Sequence, residues 1–272
     1  MKEIPLEEIK QLQLDIVVQI DRFCRKNGIH YFLDGGTGIG AARHKGYIPW
    51  DDDIDIAMTR PNYEKFIHSF NGAIKHLYVC APELDWNYYA TYANVCDNRT
   101  VLSEGANGHM GQNLGIKIDI FPIDGTMDNY RHSLMRHKFL KFLTQLMSRK
   151  RRDMSLVWRT DKWKFFTCLV VRTLVCWLNY ATLQKWVHHI ATKYPFETSN
   201  YAYDVVNPVY KRPVHCTRET YDEYIDVPFE HVTLMTLKAY DTYLTDLFGD
   251  YMQLPPEEKR VPHHDFTAYW KD

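Results

Sequence analysis

The six cysteines of this 272-residue chain (Cys24, Cys80, Cys96, Cys168, Cys176 and Cys216) form no Cys-x-x-Cys pair. Neither a secreted disulfide framework nor a zinc ribbon is encoded, and reduced thiols in a cytoplasm are expected. A zinc site drawn from His109, Cys80 and Cys96 has no paired spacing to support it. Net charge is only −1, which excludes bulk nucleic-acid binding. The N-terminal "MKEIPLEEIK" lacks the apolar core of a signal peptide. The most apolar run, "FFTCLVVRTLVCWLNYA" at 165–181, carries Arg172 and is too short and interrupted to span a bilayer. Repeats and low-complexity tracts are absent. Glycine and proline are missing from 131–193, where 14 lysines and arginines stand against Asp153 and Asp161, a charge of +12. The rest of the chain therefore carries −13.

What is present is an ordinary globular composition, 45% hydrophobic and 25% charged. Leu6, Ile9, Leu12, Ile16, Ile20 and Phe23 recur at helical spacing, and Gly28 suits the cap. "IHYFL" reads as a buried strand, followed by a glycine turn and a short helix at 39–43. "DIDIAM" alternates like a strand, and Thr59 with Pro61 suits a helix start running to Phe70. "GIKIDIFPIDG" at 115–125 is a second alternating strand, expected to stop at Pro122. The order of elements predicts an α/β (α+β) fold, a mixed sheet flanked by helices. The expected organisation is a catalytic core at 1–130, a basic, aromatic helical insertion at 131–193, and a segment at 194–272 that completes the core. A last helix is expected over about 237–248.

The stretch "YFLDGGTGIGAARHKGYIPWDDDIDIAM" allows three readings. Gly36-x-Gly38-x-x-Ala41 formally matches a dinucleotide fingerprint, but too few residues precede "HKGYIPW" for the long helix and second buried strand that such a fold needs. An acidic surface loop is the bland reading. Against it, Ile54 and Ile56 alternate with Asp53 and Asp55, which puts two carboxylates on one face of a strand. Like charges side by side destabilise each other unless a cation sits between them, and carboxylate oxygens suit Mg²⁺, with Mn²⁺ as the alternative. Upstream, backbone N–H groups of the Gly36–Thr37 turn can cradle a phosphate. Downstream, Asp119 sits between Ile118 and Ile120. Three carboxylates and a phosphate-binding turn are the parts of a metal-assisted phosphoryl-transfer site.

"FLDGGTGIGAARHKGYIPWDDDIDIAMTRPNYEKF" resembles the signature of the LicD family, and "IKIDIFPIDG" its second block. "VCDNRTVL" and "YLTDLFGDYMQLPPEEKR" also resemble family segments, so the likeness is nearly end to end and weakest over 131–193. The resemblance implies a nucleotidyltransferase-like fold with Gly36 and Thr37 in the glycine turn, Asp53 and Asp55 as the metal pair and Asp119 as third carboxylate. It implies transfer of phosphocholine from CDP-choline to a hydroxyl of a cell-surface glycan or glycolipid, with release of CMP. Another phospho-alcohol, such as ribitol phosphate from a CDP donor, is the alternative, and a non-catalytic glycan- or lipid-binding protein the second. Two departures are the fifteen residues between Thr37 and Asp53 and the presence of Gly38, where bulkier residues are common.

Further expectations concern the surroundings. Asp51 is a fourth candidate ligand, and one of Asp51 and Asp52 is expected to bind a metal-held water or cap the loop. Arg43, His44 and Lys45 either contact donor phosphate or cap a helix C-terminus. Arg260, His263 and His264 could close over the donor, and Asp124 is expected in a turn. Trp86, Tyr88, Tyr89 and Tyr92 are a candidate choline cage, with strand packing the plainer account. The basic insertion is expected to meet the acceptor at the inner face of the cytoplasmic membrane, which makes the protein cytoplasmic and peripheral.

Overall fold

The computed structural model describes residues 1–104, 114–152, 154–206, 213, 216–261 and 266–271. A seven-stranded mixed sheet organises the chain. Its path runs β2 (Phe32–Leu33), β3 (Asp55–Thr59), β7 (Lys117–Thr126), β5 (Ala93–Asp97) and β4 (Leu77–Cys80), and β7 also carries β8 (Tyr201–Asp204), which pairs with β9 (Cys216–Thr217). The β3–β7 pair is parallel and every other pair antiparallel. A smaller sheet ties the chain ends together. β12 (Phe266–Trp270) lies between β1 (Lys2–Ile4) and β6 (Thr100–Glu104). β10 (Tyr224–Phe229) and β11 (Val232–Leu237) form a hairpin.

Helices cover both faces of the sheet. α1 (Leu6–Asn27) presents Ile9, Leu12, Ile16 and Ile20, and α3 (Arg60–Ser69) presents Tyr63 and Phe66, to a core that includes Ile56, Met58, Ile118 and Ile120. The alternate residues Ala57, Phe121 and Ile123 face a second core. It is closed by α4 (Tyr130–Arg151), α7 (Tyr180–Ala191) and α8 (Tyr240–Phe248). Between α4 and α7 lie α5 (Met154–Thr160) and α6 (Lys162–Leu174). The stretch without glycine or proline is thus helical, and its first and last helices are integral to the sheet packing. Gly28 caps α1 in the left-handed conformation at φ 60°, and Pro61 lies in the first turn of α3.

Three local expectations need correction. β7 runs through Pro122 to Thr126. On its antiparallel edges β5 pairs only as far as Ile120 and β8 begins at Ile123, so Pro122 falls where no edge partner needs its missing N–H. Asp124 is therefore a buried strand residue, not a turn residue. Leu237 ends a strand rather than starting a helix: the alternation of "VTLMTL" belongs to the β10–β11 hairpin. The glycines of "GGTGI" are themselves helical, forming α2 (Gly35–Ile39), which continues into a wider π-turn at Gly40–His44.

Candidate active site

The carboxylates assemble where the parallel pair begins. Asp55 and Asp119 are direct register partners across β3 and β7. Asp53 precedes the strand, yet the alternation holds: Ile54 and Ile56 are buried while Asp53 and Asp55 are partly open. Burial, together with Asp53, Asp119 and Asp34, pushes the Asp55 pKa well up, and Lys117 opposes the rise. Thr37 Oγ1 accepts the Asp55 N–H at 2.8 Å, and Asp55 C=O accepts the Asp34 N–H at 3.0 Å. The glycine turn is thereby fastened to β3, with Thr37 holding the backbone at Asp55.

Gly36 explains how close the two walls come. A Cβ there would stand 2.5 Å from Asp51 Oδ2, so glycine makes room for the Asp51 carboxylate against the turn. Asp51, Asp52 and Asp53 can each place a carboxylate oxygen within 4.8 Å of the other two. Oxygens at opposite corners of a Mg²⁺ octahedron stand about 4.2 Å apart, so these carboxylates would draw slightly closer to share one hard divalent cation. Gly38 is required by packing: a Cβ would meet Leu33 O at 2.8 Å.

Several neighbours went unrecognised in the sequence. Lys117 Nζ lies 2.9 Å from Asp119 Oδ1, and Asn94 Nδ2 donates to the same oxygen. Burial acts to lower the Lys117 pKa, but Asp119, Tyr89 and Tyr92 hold it raised, so it stays charged. Buried Asp34 accepts from Tyr243 Oη at 2.5 Å. Lys117 shares a strand face with Asp119 at i−2 and was legible from period alone; Asn94 and Tyr243 carry no local signal. A cleft of about 80 Å³ opens onto Asp53, Lys117 and Asp119, with Ile9, Ile54 and Phe266 among its apolar walls.

The basic candidates divide. Arg43 donates to His44 Nε2 at 2.9 Å and to the carbonyls of Tyr251 and Gln253 at 2.7 and 3.2 Å. Burial, then the charge of Arg260, lowers its pKa; burial, then Arg43, lowers that of His44. Arg260 stacks over Trp50, 5.7 Å from the ring centroid. Two guanidiniums thus meet at the corner just before Asp51. Lys45 folds back onto Ala42 C=O at 3.2 Å and occupies the left-handed cap position at φ 61°, a capping role. His109, His263 and His264 lie outside the described residues.

The aromatic cluster both packs and borders the carboxylates, with Lys117 Nζ donating to Tyr89 Oη at 3.0 Å. Tyr88 and Tyr89 both donate to Asn94 Oδ1, Tyr92 packs on Phe121, and Trp86 meets His188 at 5.3 Å.

The chain is 31% identical over 275 residues to the lipopolysaccharide cholinephosphotransferase LicD of Haemophilus influenzae, covering 99% of both chains. Residues 28–156 match the LicD/FKTN/FKRP nucleotidyltransferase domain. The chain belongs to the LicD family. Shorter similarities are 52% identity over 31 residues to human ribitol 5-phosphate transferase FKRP, 11% of this chain and 6% of that protein, and 39% over 59 residues to an uncharacterized protein of Rickettsia typhi, 21% of this chain and 19% of that one. Family membership accounts for the long block from the glycine turn to β3. Among the described residues of this LicD-family chain, no helix is long and apolar enough to cross a membrane.

Proposed function

We propose that this chain transfers phosphocholine from CDP-choline to a hydroxyl of a cell-surface glycan or glycolipid, releasing CMP. The observation that carries the chemistry is the register pairing of Asp55 with Asp119, with Asp53 beside them and the Gly36–Thr37 turn fastened to the same strand. The donor and acceptor classes rest on the end-to-end similarity to a lipopolysaccharide cholinephosphotransferase.

Asp53 and Asp55, with Asp51, would hold Mg²⁺, or Mn²⁺ in its place, and the bound ion supplies neutralisation of diphosphate charge. The protein's own residues do the rest. Arg43 and Arg260 bring two cations together at the corner before Asp51, where an anionic donor group would relieve their mutual repulsion. The acceptor hydroxyl oxygen bonds to the phosphorus bearing choline as the phosphorus–oxygen bond to CMP breaks. Asp119, paired with Lys117 through Oδ1, would take the hydroxyl proton at Oδ2, the oxygen farther from Lys117 at 3.4 Å. The apolar cleft beside Asp53 gives a methylated ammonium a low-polarity wall with carboxylates at its end.

The test is acceptor-dependent CMP release with Mg²⁺ and several CDP-activated donors. CDP-choline is expected to be the preferred donor, with release abolished by chelation. Release from CDP-ribitol alone replaces the donor assignment and keeps the site. No release from any CDP donor, with the metal bound, leaves the non-catalytic binding reading.

A further inference from the structure

The helical layer turns part of its apolar surface outward. On α4, Met135, Phe139 and Phe142 are exposed at spacings of four and three residues, one stripe of the helix. On α6 the same holds for Trp163, Phe166, Val170 and Leu174, and Trp177 extends the line just beyond its end. Trp163 is 83% and Trp177 74% exposed, while Cys168 on the opposite side of α6 is buried. Exposed apolar helix stripes of this kind mark interaction surfaces.

We propose that the α4–α6 face docks on an anionic lipid bilayer, with α6 lying in the headgroup plane. Charge supports this occupant. The 131–193 segment carries +12 in a chain of net −1, and Lys138, Arg159, Lys162 and Lys164 are exposed around the stripe. Tryptophan beside lysine and arginine is the composition of an interfacial helix. Length excludes spanning: the 13 residues of α6 reach about 20 Å against about 30 Å of hydrocarbon. A second copy would bring two strongly positive segments together. A nucleic acid would leave Val170, Leu174 and Met135 without a stacking partner.

Lys150 and Arg151 of the basic run at the end of α4 are not part of this docking surface. Lys150 Nζ donates to Val175 and Leu178 carbonyls, Arg151 stacks on Tyr180 at 4.3 Å, and Arg172 donates to the carbonyls of Lys150 and Arg152. These residues hold α4 to the α6–α7 turn.

The docking does not depend on the catalytic assignment, so binding is measured directly with the full chain. Co-sedimentation uses vesicles of phosphatidylglycerol with phosphatidylcholine, against phosphatidylcholine alone. Wild type is expected to prefer the anionic vesicles, with its tryptophan emission shifted to the blue. Trp163→Ser/Phe166→Ser/Trp177→Ser should lower the partition coefficient about tenfold or more. Lys162→Glu/Lys164→Glu should weaken binding to anionic vesicles, as added salt does for wild type. Unchanged circular dichroism and thermal midpoint establish that each variant folds; if the triple variant does not, the charge variant decides. Wild type that ignores both vesicles, or variants that bind like wild type, overturn the proposal. So does a wild-type dimer that the triple variant dissolves.

Discussion

β7 carries two acidic residues five positions apart, and their surroundings are opposite. Asp124 is buried and doubly engaged by Arg60, Nε to Oδ1 at 2.7 Å and Nη2 to Oδ2 at 2.8 Å. Arg60 also binds Glu83 at 3.0 Å, which in turn meets Tyr63 and, from α7, His188 at 3.2 Å. Every carboxylate there has a cationic partner. At the other end of the strand, Asp119 and Lys117 pair beside Asp55, Asp53 and Asp34, and the carboxylates outnumber the cations. The balanced cluster is what a protein builds to hold elements together. An acidic excess in a cleft is what it builds to receive a cation.

The sharpest way to break this contrast is substitution at each end. Asp55→Asn or Asp53→Asn should lower turnover about 10⁴-fold, about 5 kcal/mol of barrier, while thermal midpoint in chelator stays unchanged or rises. Near-normal CMP release by either variant would erase the distinction. Asp124→Ala leaves the Arg60 guanidinium buried with half its partners and should cost about 3–4 kcal/mol of folding stability, read by urea unfolding. A stability loss under about 1 kcal/mol would show that the Arg60 network is not the brace described here.

The two clusters were not equally legible. The candidate site was legible because its residues are local: aspartates at 51, 52, 53 and 55 with alternating isoleucines, and a glycine turn just upstream. Asp119 could be added because strand period alone puts it between two isoleucines. The brace is assembled from four separate stretches, Arg60, Glu83, Asp124 and His188, and no spacing in the sequence ties them to one another. Asp124 was misread because the adjacent Gly125 and nearby Pro122 resemble a turn, whereas the change of edge partner from β5 to β8 lets the strand continue. The helical content of 131–193 followed from its missing glycine and proline. That two of those helices close a core over the sheet depends on long-range packing, which composition does not encode.

Ligand addition sharpens the comparison further. Metal bound only by the folded protein stabilises it by about 2.7 kcal/mol at a hundredfold excess over Kd. Mg²⁺ should therefore raise the thermal midpoint of wild type and of Asp124→Asn, but not of Asp53→Asn or Asp55→Asn. An equal rise in all four would place the cation elsewhere. Gly36→Ala tests the contact of the two walls. The new methyl displaces the flexible Asp51 carboxylate rather than backbone, so about a tenfold rise in the Mg²⁺ concentration needed for activity is expected, with stability within about 0.5 kcal/mol of wild type. Normal Mg²⁺ dependence would remove Asp51 from the ligand set.

The smallest effect separates the clusters by sign. Burial raises the Glu83 pKa, but His188 and Arg60 pull it below its ordinary value. A depressed folded pKa stabilises above the unfolded value of about 4.3 and loses that contribution as pH falls through the folded one. Asp55 is the reverse. Its folded pKa is raised, first by burial and then by Asp53 and Asp119, so its contribution is full below the unfolded value of about 3.9 and is lost as pH rises through the folded one. In chelator, stability of the wild type should therefore climb as pH is lowered through the raised Asp55 pKa, and Asp55→Asn should flatten that climb. Below about pH 4 stability should fall, through Glu83, and Glu83→Gln should flatten the fall after an initial loss at neutral pH. Bound Mg²⁺ holds Asp55 ionised and should cancel the climb while leaving the acid fall in place. If Mg²⁺ suppressed both limbs, the two clusters would have to be one electrostatic unit.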